Sequence, residues 1–193
     1  MLSDLIPALR SGDGQAFRQL VAHYQQQVFN TAISMVQDHG MAEDITQEVF
    51  ITVYRSILSF NEKSSISTWI YRITVNKCLD HLRAKKRQKR SGIFSQLFHT
   101  DTGEPLHEPP DFQHPGIQLE LKEKAQYLFA AIATLPENQK TAFILAHIED
   151  LPQKDIAEIM GLSVKAVESL LQRAKISLRK QLESYYNEGK MIK

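Results

Sequence analysis

Apolar positions recur along most of this chain at three- and four-residue spacing, the period of a helix with one buried face. Phe17, Leu20, Val21, Tyr24 and Val28 form a first stripe. After a break expected at Asp38-His39-Gly40, Ala42, Ile45, Val49 and Val53 form a second, and Asp44, Gln47, Glu48 and Ile51 point away from it. A third helix is predicted from a cap at Ser67-Thr68 through Trp69, Ile70, Ile73, Val75, Leu79 and Leu82. It runs into the basic series Lys85-Lys86-Arg87-Gln88-Lys89-Arg90. Over residues 91–116 the pattern stops, because Gly92, Gly103, Pro105, Pro109, Pro110, Pro115 and Gly116 interrupt any regular element. Helical spacing returns with Leu121, Ala125, Leu128, Phe129 and Ile132, and again beyond Leu135-Pro136, where Pro136 suits the first turn of a helix carrying Ala142, Phe143, Leu145 and Ala146. No useful stretch alternates with the two-residue period of a strand. The expected fold is all-α: two small helical domains, residues 1–90 and 117–193, on a flexible linker, residues 91–116.

The segment from Gln153 to Gln172 predicts a helix-turn-helix. Ile156, Ala157, Ile159 and Met160 give its first helix an apolar face, and Ala157 is small enough for a second helix to cross close by. Gly161 falls where the chain must turn and where a positive φ is needed. Ser163 can cap the second helix, and Val164, Val167, Leu171, Ala174 and Leu178 can bury it. The opposite face holds Lys165, Ser169, Gln172, Arg173 and Lys175. A braced helix with polar and basic groups outward is the shape that enters a DNA major groove. Two such helices also occur in bundles with no DNA role, but here the small residue, the turn, the cap and the basic face coincide.

The third helix adds aromatic and basic groups: Trp69, Tyr71, Arg72, Asn76, Lys77 and Arg83. Unpaired strands are bound by such sets, with aromatic faces on bases and cations along phosphates. On helix geometry alone Trp69 and Tyr71 serve equally well as core, with the charges as a solvated face. The preceding polar loop, with Asn61 and Lys63, is suited to a flipped base. The basic run that includes Lys86 favours phosphate contact, and cations at a helix end also complement its dipole. Asp44 and Glu48 share a helix face and suit a docking patch for a basic partner better than acid–base catalysis.

Net charge is only +1, so nucleic-acid affinity must come from local patches. The single cysteine excludes an internal disulfide framework, and no apolar run reaches transmembrane length. With an N-terminus unlike a signal peptide, the expected setting is the cytoplasm. Cys78 and His81 have a C-x-x-H spacing without a second ligand pair, so no metal or other cofactor is expected. No nucleotide-binding, metalloprotease or Ser-His-Asp pattern appears, so an enzyme is not expected.

These motifs, in this order, resemble the extracytoplasmic-function (ECF) group of sigma-70 family RNA polymerase sigma factors. The stretch from Ala42 to Phe50 resembles region 2.2, the polymerase-docking helix, and the stretch from Ser67 to Arg83 resembles regions 2.3 and 2.4, which melt and read the −10 element. Leu135-Pro136-Glu137-Asn138-Gln139-Lys140 resembles region 4.1, and Asp155 through Lys175 resembles region 4.2, which reads the −35 element. The resemblance implies that Asp44, Gln47 and Glu48 dock on core polymerase. It implies that Trp69, Arg72, Asn76 and Arg83, with the loop from Asn61, engage the −10 strand, and that Lys165, Ser169, Gln172 and Arg173 meet the −35 duplex. It further implies core RNA polymerase and promoter DNA as partners, an anti-sigma factor, often membrane-bound, as inhibitor, and a monomer when free. Where many members carry basic residues, this chain has Glu168 and Leu170. The alternative is a stand-alone helix-turn-helix regulator, dimeric on a palindromic site without polymerase.

Overall fold

The computed structural model describes residues 5–96 and 122–187, with side chains over 5–88 and 125–183. The first half holds α1 (Ile6–Arg10), α2 (Gly14–Val36), α3 (His39–Ser56), a 3-10 turn (Ile57–Ser59) and α4 (Ile66–Gln96). The second half holds α5 (Lys122–Thr134), α6 (Glu137–His147), α7 (Gln153–Met160) and α8 (Val164–Asn187). Among the described residues there is no strand.

The helix starts follow from side-chain capping. Asp13 accepts hydrogen bonds from the Gln15 and Ala16 amides and opens α2. Asp38 accepts from the Met41 amide and opens α3, so Gly40 lies inside the first turn and is not the expected break. The cap of α4 is Ser65, two residues before the expected Ser67: its hydroxyl accepts from the Thr68 amide at 3.0 Å. Pro136 stands at the cap position, just before the first helical turn that the spacing predicts for it. The helix of α4 also continues through Ser91 and Gly92 to Gln96, past the expected start of the linker. Residues 97–121 lie outside the described residues, as does the rest of the linker expectation.

The predicted stripes form the core. Leu20, Ile45, Val49 and Ile132 are fully buried, and Val28, Val53 and Ile70 nearly so. Each such side chain contributes about 1.5–3 kcal/mol relative to exposure. Val164 is an exception, being 41% exposed, because the inward stripe of α8 begins only at Val167.

The two halves touch directly. Helix α2 packs on α6, and α4 packs on α7. Gln37, which ends α2 in the left-handed region at φ 55°, donates its side-chain amide to the Phe129 carbonyl at 2.8 Å in a buried bond. Lys140 of α6 is buried against α4, beside the Cys78 thiol, and burial pulls its ammonium down to about 8.

Candidate nucleic-acid interface

The turn between α7 and α8 sets the outward face of α8. Gly161 takes φ 65°, and the Leu162 amide donates to the Ala157 carbonyl at 2.9 Å. This closes α7 with a left-handed cap that a side chain at the turn would strain. Ser163 Oγ then accepts from the Ala166 amide at 3.2 Å and starts α8. Ile156, Val167 and Ala174 lock the two helices through side chains with almost no exposure. The opposite side of α8 leaves Lys165, Glu168, Ser169, Gln172 and Arg173 exposed together. Arg173 lies along the helix, donating from Nε to the Ser169 carbonyl and from Nη2 to Ser169 Oγ, both at 3.2 Å. Leu170 is buried, so it belongs to the core and takes no part in the outward face.

The aromatic and basic groups of α4 separate. Trp69 is half-buried, its ring 5.0 Å from Phe60. Tyr71 is buried and donates its hydroxyl to Glu149 Oε2 at 3.0 Å, so it offers no free stacking face. Burial pushes Tyr71 well above the ordinary phenol range, and Glu149 beside it adds to the shift. Burial likewise raises the Glu149 carboxyl. Arg72 donates to the Glu158 carbonyl at 2.7 Å, and Arg83 donates to Glu137 Oε1 at 2.5 Å. Asn76 and Lys86 are exposed. The loop before α4 is held from α1: Arg10 donates to the Phe60 carbonyl at 2.6 Å and pairs with Glu62 at 2.8 Å. Within that loop Asn61 Oδ1 accepts from the Lys63 amide at 3.2 Å, and both side chains are exposed.

On α3, Asp44 and Gln47 are exposed, as expected. Glu48 is less free. It accepts from Lys77 at 2.9 Å and sits 3.1 Å from His81 Nε2. Its hydrogen bond with Lys77 holds its carboxyl below the usual range. His81 therefore partners a carboxylate, while its neighbour Cys78 is buried and its thiol pushed up to about 12. Beyond Gln47 the same helix edge exposes Ile51 and Tyr54, at 50 and 56%, and the 3-10 turn that follows exposes Leu58, at 73%. Of these, Ile51 was expected outward; Tyr54 and Leu58 share its i+3 and i+7 spacing and could have been found by extending it.

The structure thus gathers Lys165, Ser169, Gln172 and Arg173 on one edge of α8, and Asp44 and Gln47 on one edge of α3. It brings Asn61, Lys63, Trp69, Arg72, Asn76 and Arg83 to α4 and its loop. It also adds three residues to which the sequence assigned no individual role, Glu137, Glu149 and Glu158, each bonded to a side chain of α4.

Fold and exposed faces define an all-helical protein in two parts, the second carrying a helix-turn-helix with a polar reading edge. Residues 20–88 match the family described as Sigma-70 region 2, and residues 125–178 match Sigma-70, region 4. The chain is 34% identical over 181 residues to the ECF RNA polymerase sigma-E factor of Haemophilus influenzae, covering 93% of this chain and 94% of that one. It is 31% identical over 186 residues to the RNA polymerase sigma-H factor of Pseudomonas aeruginosa, covering 96% and 95%. In fold it is similar to CnrH, solved in complex with the cytosolic domain of CnrY, with a TM-score of 0.66 at 22% identity over 93% of this chain and 96% of that one. The chain belongs to the ECF group of the sigma-70 family of RNA polymerase sigma factors, a family of initiation factors and not of enzymes.

Proposed function

We propose that this sigma factor works through three separate faces. The exposed edge of α3, with Asp44 and Gln47, meets basic side chains of core RNA polymerase. Glu48 supports that edge while tying it to α4 through Lys77 and His81. Trp69, Arg72, Asn76 and Arg83, with Asn61 and Lys63 in the loop, engage the −10 strand, and Lys86 tracks phosphate. Lys165, Ser169, Gln172 and Arg173 meet the −35 duplex. The observation that carries this assignment is the edge of α8: the left-handed turn at Gly161 presents four polar and basic side chains together on a helix braced by α7.

The protein acts in the cytoplasm, as a monomer when free, with an anti-sigma factor as its negative partner. Among the described residues no helix is long and apolar enough to cross a membrane. Transcription from a promoter library with purified core polymerase tests the assignment. Defined start sites that appear only when chain and core are both present are expected. A dimer that binds a palindromic duplex tightly without core would overturn it.

A further inference from the structure

We infer that Arg10, at the end of α1, is a positioning residue for reading the −10 element: it fixes the shape of the loop that carries Asn61 and Lys63 before any strand arrives. This inference rests on the assignment of that loop to the −10 strand and extends it to α1, which lies outside the three faces named above.

The loop between the 3-10 turn and α4 has little of its own to hold it. Asn61, Glu62 and Lys63 are exposed in a row, so none of the three is fixed by burial. Asn61 makes a local turn, its Oδ1 accepting from the Lys63 amide at 3.2 Å. Glu62 takes φ 57°, the left-handed region that a residue with a Cβ adopts at a cost. Backbone kept in such a conformation needs support from its surroundings, and residues of this kind gather where a ligand is gripped.

Arg10 supplies that support. Its Nη2 lies 2.6 Å from the Phe60 carbonyl and 2.8 Å from Glu62 Oε1. One nitrogen thus grips the loop on both sides of Asn61, by main chain before it and by side chain after it. The ion pair alone would do little, because the two side chains are 37% and 52% exposed. The bond to the carbonyl is partly buried and has a charged donor, so it is the stronger hold on the main chain. The base of the grip is firm: α1 packs on α2 and on the 3-10 turn, with Ile6 and Leu9 buried. Phe60 is itself buried, with its ring 5.0 Å from Trp69, and at the far end Ser65 caps α4. Asn61 and Lys63 therefore project from a frame that α1 and α4 set together. A pocket for an unstacked base gains from walls already in place, since ordering a loop on binding subtracts from affinity.

The test uses holoenzyme assembled from the full chain and core polymerase. Its templates are a promoter recovered from the transcription library and every single-base change across the −10 and −35 elements. Rates of open-complex formation give the preference at each position. Wild type is compared with Arg10→Ala, with a loop variant carrying Asn61→Ala and Lys63→Ala, and with the triple variant, and thermal melting by circular dichroism checks that each is folded. Arg10→Ala is expected to flatten preference by about fivefold, the worth of one hydrogen bond, at the −10 position that the loop variant flattens. Preferences elsewhere, the −35 element included, should stand. The triple variant should lose no more at that position than the loop variant, because a positioning residue acts through what it positions. A uniform loss at every position, unchanged preferences in Arg10→Ala, or a triple variant whose loss is the sum of the other two would overturn the inference. If Arg10→Ala melts below the assay temperature, Glu62→Ala decides, since it breaks the pair from the exposed side of the loop: flattening at the same position supports the inference and no change overturns it. Selective flattening in the loop variant with none in Arg10→Ala leaves the assignment of the loop standing alone. If the loop variant itself keeps every preference, the loop does not read the strand, and assignment and inference fall together.

Discussion

Lys140 should destabilise the folded chain at neutral pH, and replacing it should stabilise it. The residue is 9% exposed, with the Cys78 thiol and the Lys86 ammonium of α4 as neighbours. Desolvation brings it from the ordinary 10.5 to about 8. A difference of roughly 2.5 units at about 1.4 kcal/mol each corresponds to about 3 kcal/mol. The sign follows from the depressed value. Between pH 8 and 10.5 the unfolded chain holds a proton at Lys140 that the folded chain has released, so stability rises with pH across that window. Below pH 8 both states are protonated, and the full cost of the buried charge is present. Lys140→Met keeps most of the side-chain length and removes the charge. Urea unfolding at pH 7 should find the variant more stable by up to about 3 kcal/mol, as when buried charges give way to packed apolar groups. The gap should shrink as pH rises from 8 toward 10. A variant less stable than wild type at pH 7, or a gap that does not change with pH, would refute the argument. Less stability would mean that Lys140 has a favourable partner in the interface, and a flat gap that it titrates as though in water.

Gly161→Val should cost about 1–2 kcal/mol in urea unfolding, wholly from forcing a branched residue to φ 65°, because a Cβ there meets nothing within 4 Å. Gly161→Asn should cost less, since Asn tolerates that conformation. Gln172→Ala should relax preference at one −35 position by about 1–3 kcal/mol if the amide contacts a base edge, read from a panel of single-base promoter changes. Arg173→Ala should instead weaken binding to every sequence and reduce the salt slope by about one, which a titration over salt concentration would show. Asp44→Lys with Gln47→Lys should abolish binding to core polymerase in a pull-down while leaving the helical content intact; retained binding would remove this edge of α3 from the interface.

What the chain reveals in sequence and what it hides divide by distance. The helices were legible because three- and four-residue spacing is local. The turn at Gly161 and the cap at Ser163 were legible because each is a short-range demand on backbone and hydrogen bonding. Errors arose where two local signals compete. Gly40 reads as a breaker, but Asp38 caps the helix ahead of it, and a first turn tolerates glycine. Ser91-Gly92 reads as the end of α4, yet the helix carries on to Gln96. Leu170 looks like a lost basic contact until its burial shows it on the inward stripe. The contacts between the halves were not legible at all. Glu137, Glu149 and Glu158 are ordinary surface-type residues in sequence, and their partners lie 54 to 86 positions away. No spacing rule reaches that far.

That separation along the chain has a consequence for synthesis. A ribosome adding roughly 5–20 residues per second completes α4 some 3–12 s before it reaches Glu158, the residue that closes over Arg72. Helices α2, α3 and α4 pack on one another, so their mutual contacts are available before α6 and α7, which pack on α2 and α4, are made. For those seconds every nascent copy presents α4 uncovered. A bacterial gene and its polymerase lie close to the translating ribosome, so shielding of this helix is acquired late in the life of each chain and is absent from any fragment that stops short of α6.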